Sequence, residues 1–163
     1  MAVVMRSAAA IFAVFLLIAP AAAQSPAPSP VLELQGKVKQ PQHWTLDDLK
    51  KMQAQHVQIS YQTERGQVGA SYTGVLLWSL LEQAGGIDDT TRNAVVFHTI
   101  RITATDNYVI VLSTGEIAPD YGNAQALVAY ERDGKPLDNF RIVLPGDKHG
   151  ARDIHDVATI KVE

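Results

Sequence analysis

The chain has no cysteine anywhere in its 163 residues. That absence excludes disulfide staples, the lipid-modified cysteine of a lipoprotein, a thiol nucleophile and a thiolate metal ligand. Charge of one sign is also lacking. Lys and Arg number 14 against 17 Asp and Glu, a formal net charge of -3, which leaves no basic field for nucleic acid or anionic lipid. No HExxH, GxSxG, GxGxxG or P-loop pattern occurs. The short signatures of zinc peptidases, serine hydrolases, dinucleotide binders and NTPases are therefore missing.

Long apolar runs are confined to one place, Ala8 to Ile18, behind the single positive charge of Arg6 and ahead of the small-residue stretch "APAAAQ". This is the three-part layout of a secretory signal peptide, covering residues 1–23 with cleavage between Ala23 and Gln24. The apolar core is short for a membrane span, so no membrane anchor is expected after cleavage. No Arg-Arg pair precedes it, which points to the Sec route and a periplasmic or secreted product. Residues 24–30, ending in "SPAPSP", read as a Pro/Ser linker, and residues 31–163 as one domain. A domain of that size buries about two-thirds of its unfolded surface, enough to stand without staples.

What remains is rich in short patterned segments. "VLELQGKV" alternates apolar and polar residues up to Gly36, as a strand does. "TLDDLKKM" has Thr45 as N-cap, Asp47 and Asp48 in the first turn, and Leu46, Leu49 and Met52 on one face, which predicts a short helix. His56 to Thr63 and "QVGASY" flank a turn and form a hairpin. Val75, Leu76, Leu80, Leu81 and Ala84 recur at helical spacing before Gly85 and Gly86, predicting a helix with a glycine C-cap. Val95 to Ala104 and Tyr108 to Leu112 read as strands around Asp106 and Asn107, and "STGEIAPDYG" as a short helix or turn capped by Ser113 or Thr114. "AQALVAYE" is a strand ended by the Asp-Gly turn of "RDGK", and "FRIVLP" and "DIHDVATIKV" are the last strands. Many strands with a few short helices imply an α+β domain of mixed, twisted sheets.

Chemistry is sparse. His43, His56, His98, His149 and His155 are scattered without metal-ligand spacing and read as surface or half-buried side chains, so no metal site is expected. Asp47 with Asp48, and Asp88 with Asp89, sit where carboxylates cap turns and helices. The segment "FRIVLPGDKHGARDIHDVATIKV" is different. Arg141 has a planar fork suited to bidentate grip on phosphate or carboxylate, and Lys148, His149 and Arg152 surround Gly150. Two readings stay open on chemistry alone: a solvated turn with an arginine salt bridge, or a site for an anionic ligand.

The order of segments resembles a known family. "LELQGKV", "WTLDDLKKM", "YTGVLLWSLLEQAG", "ITATDNYVIVLSTGEI", "ALVAYERDGKPL" and "FRIVLPGDKHGARDIHDVATIKV" follow one another as in the oxidoreductase molybdopterin-binding domain of the sulfite oxidase and methionine-sulfoxide reductase catalytic-subunit type. The resemblance spans Val31 to Val162 and implies that family's mixed α+β fold. It also implies a molybdopterin held by Arg141, by the loop residues His149, Gly150, Ala151 and Arg152, and by Thr99. The family binds molybdenum through one cysteine thiolate, which an ungapped comparison places near Gln62. Neither Gln62 nor its neighbours Tyr61 and Thr63 supplies a thiolate, and an amide is a poor substitute for a soft ligand. The asparagine-glycine step expected before the "LRLV"-like strand is replaced by "LDNF". Family enzymes generally receive their cofactor in the cytoplasm and are exported folded, which a Sec signal does not allow. The expectation is therefore an exported member of this fold whose molybdenum redox catalysis is in doubt and whose catalytic residues are unknown. Its rivals are a non-catalytic binding module for a small anionic ligand, a pterin or an exported protein partner, and a small hydrolase or isomerase using His149 or His155 as a base.

Overall fold

A computed structural model describes residues 29–64 and 66–163. The signal peptide at 1–23 and all but the end of the linker at 24–30 lie outside the described residues. The elements are strands β1 Val31–Gly36 and β2 Gln42–Thr45, helix α1 Leu46–Lys50, strands β3 Gln55–Thr63 and β4 Gly66–Leu76, and helix α2 Leu77–Gln83. Strands β5 Thr99–Ala104 and β6 Val109–Ser113, helix α3 Thr114–Ile117, and strands β7 Leu127–Arg132, β8 Lys135–Val143 and β9 Val157–Val162 complete the set. Short 3-10 turns lie at Ala94–Val96 and Gly150–Arg152.

Two sheets carry the fold. One has the order β2-β1-β9-β5-β6, and the other β3-β4-β7-β8. Only β1 and β9 pair in parallel; the other ladders are antiparallel. This is the α+β architecture that the segment pattern predicts. Period-2 alternation supplies the main core: Leu32 and Leu34 of β1, Ile100 and Ile102 of β5, and Ile160 and Val162 of β9 turn inward. There they meet Val128, Phe140 and Ile142 of the second sheet and Leu77, Leu80 and Leu81 of α2. Each such side chain contributes roughly 1.5–3 kcal/mol by leaving water. The opposite face of the second sheet holds a smaller cluster, Ile59, Ala70, Tyr72, Leu127, Ala129 and Val143. Arg141 stands on that face, in register with Ala129.

Local chemistry fixes several ends as expected. Thr45 and Asp48 form a reciprocal capping box at α1, and Ser113 caps α3 through Gly115 N–H. The β7–β8 hairpin turns on Asp133 and Gly134, with φ of 51° and 75°; positive φ at both central residues is the hairpin geometry that Asp-Gly favours.

Three expectations are corrected. Val75 and Leu76 belong to β4, not to the helix, which starts at Leu77. The cause is tertiary: Gly74 pairs with β7 so closely that a Cβ there would lie 2.2 Å from the Val128 carbonyl oxygen. Glycine therefore lets the strand run on through the apolar stretch. The strand expected from Val95 begins only at Thr99, because Asn93 at φ 60° turns the chain into the 3-10 segment Ala94–Val96. His98, expected at the surface or half-buried, is only 5% exposed. Its Nε2 lies 2.8 Å from Asp89 Oδ2 and its Nδ1 lies 2.9 Å from the main-chain oxygen of Glu163.

Candidate functional site

The polar loop between β8 and β9 is stitched down on three sides. Ile142 and Ile154 exchange main-chain hydrogen bonds of 2.8 and 3.2 Å, which fold the loop's end back along β8. Gln62 at the end of β3 donates its N–H to the Lys148 carbonyl at 3.0 Å. The Tyr108 hydroxyl, at the start of the β6 side, donates to the Ala151 carbonyl at 2.9 Å.

Arg141 is the centre of this arrangement. Its Nε and Nη2 donate to Asp153 Oδ1 and Oδ2 at 2.5 and 3.0 Å, and the Tyr61 hydroxyl donates to the same Oδ2 at 2.9 Å. The guanidinium also sits 5.6 Å from the centroid of the Tyr72 ring. Side-chain exposure is 18% for Arg141 and 6% for Asp153, so the pair is mostly withdrawn from water. Burial pushes the guanidinium toward losing its proton, but the bonded carboxylate outweighs this and holds the proton more tightly than usual. Burial, and then Asp153, raise the Tyr61 phenol above its ordinary value, so Tyr61 remains a donor.

Arg152 is committed in the same way. Its Nε and Nη2 grip Asp147 at 2.9 and 2.6 Å, and its Nη1 reaches Glu116 of α3 at 2.8 Å. Asp147 first, and Glu116 second, raise its pKa. The two forks that the sequence marks for an anion thus hold carboxylates of the chain itself.

The other predicted residues divide. His149 is exposed and bridges Gln62 through its main chain. Gly150 is a glycine for a packing reason: a Cβ there would lie 2.6 Å from Tyr61 Cε2 and 3.0 Å from its Cζ. Ala151 offers its carbonyl to Tyr108. Thr99 stands apart, exchanging main-chain bonds with Glu163 and registered against Ser113. It occupies the end of β5 away from Tyr108, and a six-residue strand is about 17 Å long. No hydrogen bond among the described residues joins Thr99 to the loop. Arg141 and His149–Arg152 therefore form one region, which Thr99 does not enter.

An open groove of about 660 Å3 borders this region, lined by Tyr61, Gln62, Thr63, Glu64, His149 and Gly150. A smaller pocket of about 170 Å3 lies between Tyr108 and Asp153. Sequence reasoning missed Tyr61, Asp153 and Glu116. They lie 92, 12 and 36 residues along the chain from their partners, with no spacing rule to connect them. Asp147, five residues from Arg152 in the same loop, was the one partner within local reach.

Comparison with known families decides the affiliation. The sequence model described as the oxidoreductase molybdopterin binding domain matches residues 23–162. The chain belongs to this family. Among solved structures it is similar to the sulfane dehydrogenase SoxCD from Paracoccus pantotrophus, with a TM-score of 0.65 and 16% identity over 82% of this chain. It spans only 38% of that chain's length, and at this identity the likeness is one of fold. No curated protein matches the sequence.

Membership of this molybdopterin-binding family implies a molybdopterin. The residues in place at the loop do not fit a molybdenum-bearing one. The chain has no cysteine to act as the soft ligand. Gln62, near the expected position of that ligand, carries an amide that donates to the Thr63 carbonyl at 3.2 Å. A phosphate seeking the Nε–Nη2 edge of Arg141 or Arg152 would compete with a carboxylate already held there in bidentate geometry.

Proposed function

We propose that this chain is an exported, non-redox member of the molybdopterin-binding oxidoreductase fold, acting as a binding module. The observation that carries the reading is the missing thiolate. A cysteine-free chain places Gln62 where β3 meets the Lys148–Gly150 loop, beside the open groove. The bidentate engagement of Arg141 by Asp153 and of Arg152 by Asp147 supports the same reading, and the ligand is a small anion or a protein partner. A small anion or a partner surface can approach the exposed Lys148 and His149 with the Arg141–Asp153 and Arg152–Asp147 pairs intact. Export rests on the charge-apolar-small layout of residues 1–23.

Two measurements test this reading on protein taken from the cells that make it. Oxidation of the purified protein to a fluorescent pterin product should give no signal, and stoichiometric pterin would contradict the module reading. N-terminal sequencing of the exported fraction should begin at Gln24; an intact Met1 terminus in the cytoplasm would remove the export claim.

A further inference from the structure

The five-stranded sheet ends on β6, and no strand among the described residues pairs with its outer edge. Bonds from Ala104 N–H to Tyr108 O and from Thr114 N–H to His98 O flank the β5–β6 ladder. Antiparallel alternation then makes Ile102–Ile110 and Ile100–Leu112 the hydrogen-bonded pairs. The N–H and C=O groups of Val109, Val111 and Ser113 therefore point away from β5, toward a side where no described strand lies. Val109 and Val111 are 40% and 47% exposed, and Tyr108 and Phe97 in the adjoining turns are 49% and 66% exposed.

Natural sheets blunt such edges with short strands, charges, proline, bulges or a covering segment. The other edges are short, polar or interrupted. β2 has four residues and follows Pro41. β3 exposes the polar side chains of His56, Gln58 and Ser60 and is bridged at Gln62 by His149, and β8 carries Lys135, Pro136 and Asp138 and is bridged by Ile154. β6 reads Val-Ile-Val-Leu-Ser, with no charge, no proline and an unbroken register.

We propose that β6 pairs with β6 of a second copy of this chain, antiparallel about a two-fold axis at Val111, joining two sheets into one. Such a strand is complementary to itself. Val111 lies opposite Val111 and Val109 opposite Ser113, and with no charge in β6 no like charges meet across the axis. Self-pairing uses each edge once, so the assembly closes at two chains, as an isologous contact must. A foreign strand would satisfy the same main-chain groups, but nothing in β6 selects one.

Sedimentation equilibrium on protein purified from its native source reads the outcome directly. The expected mass is that of a dimer. Val111→Pro should halve it while leaving the circular dichroism spectrum unchanged, because the Val111 N–H makes no bond inside the sheet and edge strands tolerate proline there. Val111→Lys should also halve it, by setting ammonium groups across the axis. Val111→Cys, the sole thiol in the chain, should give a covalent dimer on mild oxidation, since bonded pairs place Cα atoms about 5.5 Å apart, within disulfide reach. A monomeric wild type, assembly beyond two chains, a dimer that survives both Pro and Lys, or a Cys variant that fails to cross-link each overturns the proposal.

Discussion

Replacing Arg141 with alanine distinguishes a structural ion pair from a waiting ligand site. In the folded chain Arg141 supplies two of the three hydrogen bonds that Asp153 receives, the third coming from Tyr61. Asp153 is 6% exposed, so Arg141→Ala leaves a carboxylate in a poorly solvated place with one phenol for company. Removing one partner of a buried pair costs about 3–5 kcal/mol. Arg141 is itself 18% exposed and water enters the vacated space, which brings the expected loss to about 3 kcal/mol. For a domain of this size that is a fall in Tm of about 10 °C. Differential scanning calorimetry in ligand-free buffer reads it, and Asp153→Ala should lose a similar amount. In a double-mutant cycle the two losses should be strongly non-additive, because the second change removes a charge the first has stranded. If Arg141→Ala shifts Tm by less than about 2 °C in the absence of any ligand, the ion pair is not what holds the loop, and the reasoning fails.

Three further outcomes concern Gly74, Tyr61 and Asp89. Gly74→Ala sets a methyl 2.2 Å from the Val128 carbonyl oxygen and should cost about 3 kcal/mol or more, read as a lower urea midpoint with unchanged slope if the native sheet survives. Tyr61→Phe removes one hydrogen bond to Asp153 and should cost about 1–1.5 kcal/mol in the same assay, less than Arg141→Ala. Thr91 first, and then His98, hold the Asp89 carboxylate down to about 2 from an ordinary 3.8. A depressed folded value contributes stability above the unfolded one that is lost as pH falls through the folded one, so Tm should decline between pH 3.8 and about 2. Asp89→Asn should flatten that part of the profile, leaving the share of the other depressed carboxylates, Asp48, Asp156 and Glu163.

Much of the fold was legible because its signals are local. Thr45 and Asp48, the Asp133-Gly134 turn and the alternation of β1, β5 and β9 each specify their own geometry within a few residues. The helix start was misread because Val75, Leu76, Leu80 and Leu81 satisfy a helical period while Val75 and Leu76 equally suit a strand buried on both faces. The partner that settles it, β7, lies more than fifty residues on. The 3-10 segment at Ala94–Val96 was hidden in the same way, since Asn93 in the left-handed region looks like any polar residue. At the site, the arginines and the loop named from the sequence lie in one region. The sequence could not show that the arginine forks are filled, because Asp153, Tyr61 and Glu116 arrive from separate elements. Gly150 carried a second ambiguity: a glycine that admits an anion and one that admits a tyrosine ring are identical in sequence.

The claim that this fold is kept without its molybdenum centre is tested most directly by elemental analysis. Protein isolated from its native compartment is measured for molybdenum by mass spectrometry against chain concentration. Only background molybdenum is expected in well-folded protein. One molybdenum per chain would contradict the claim and require a ligand other than a thiolate.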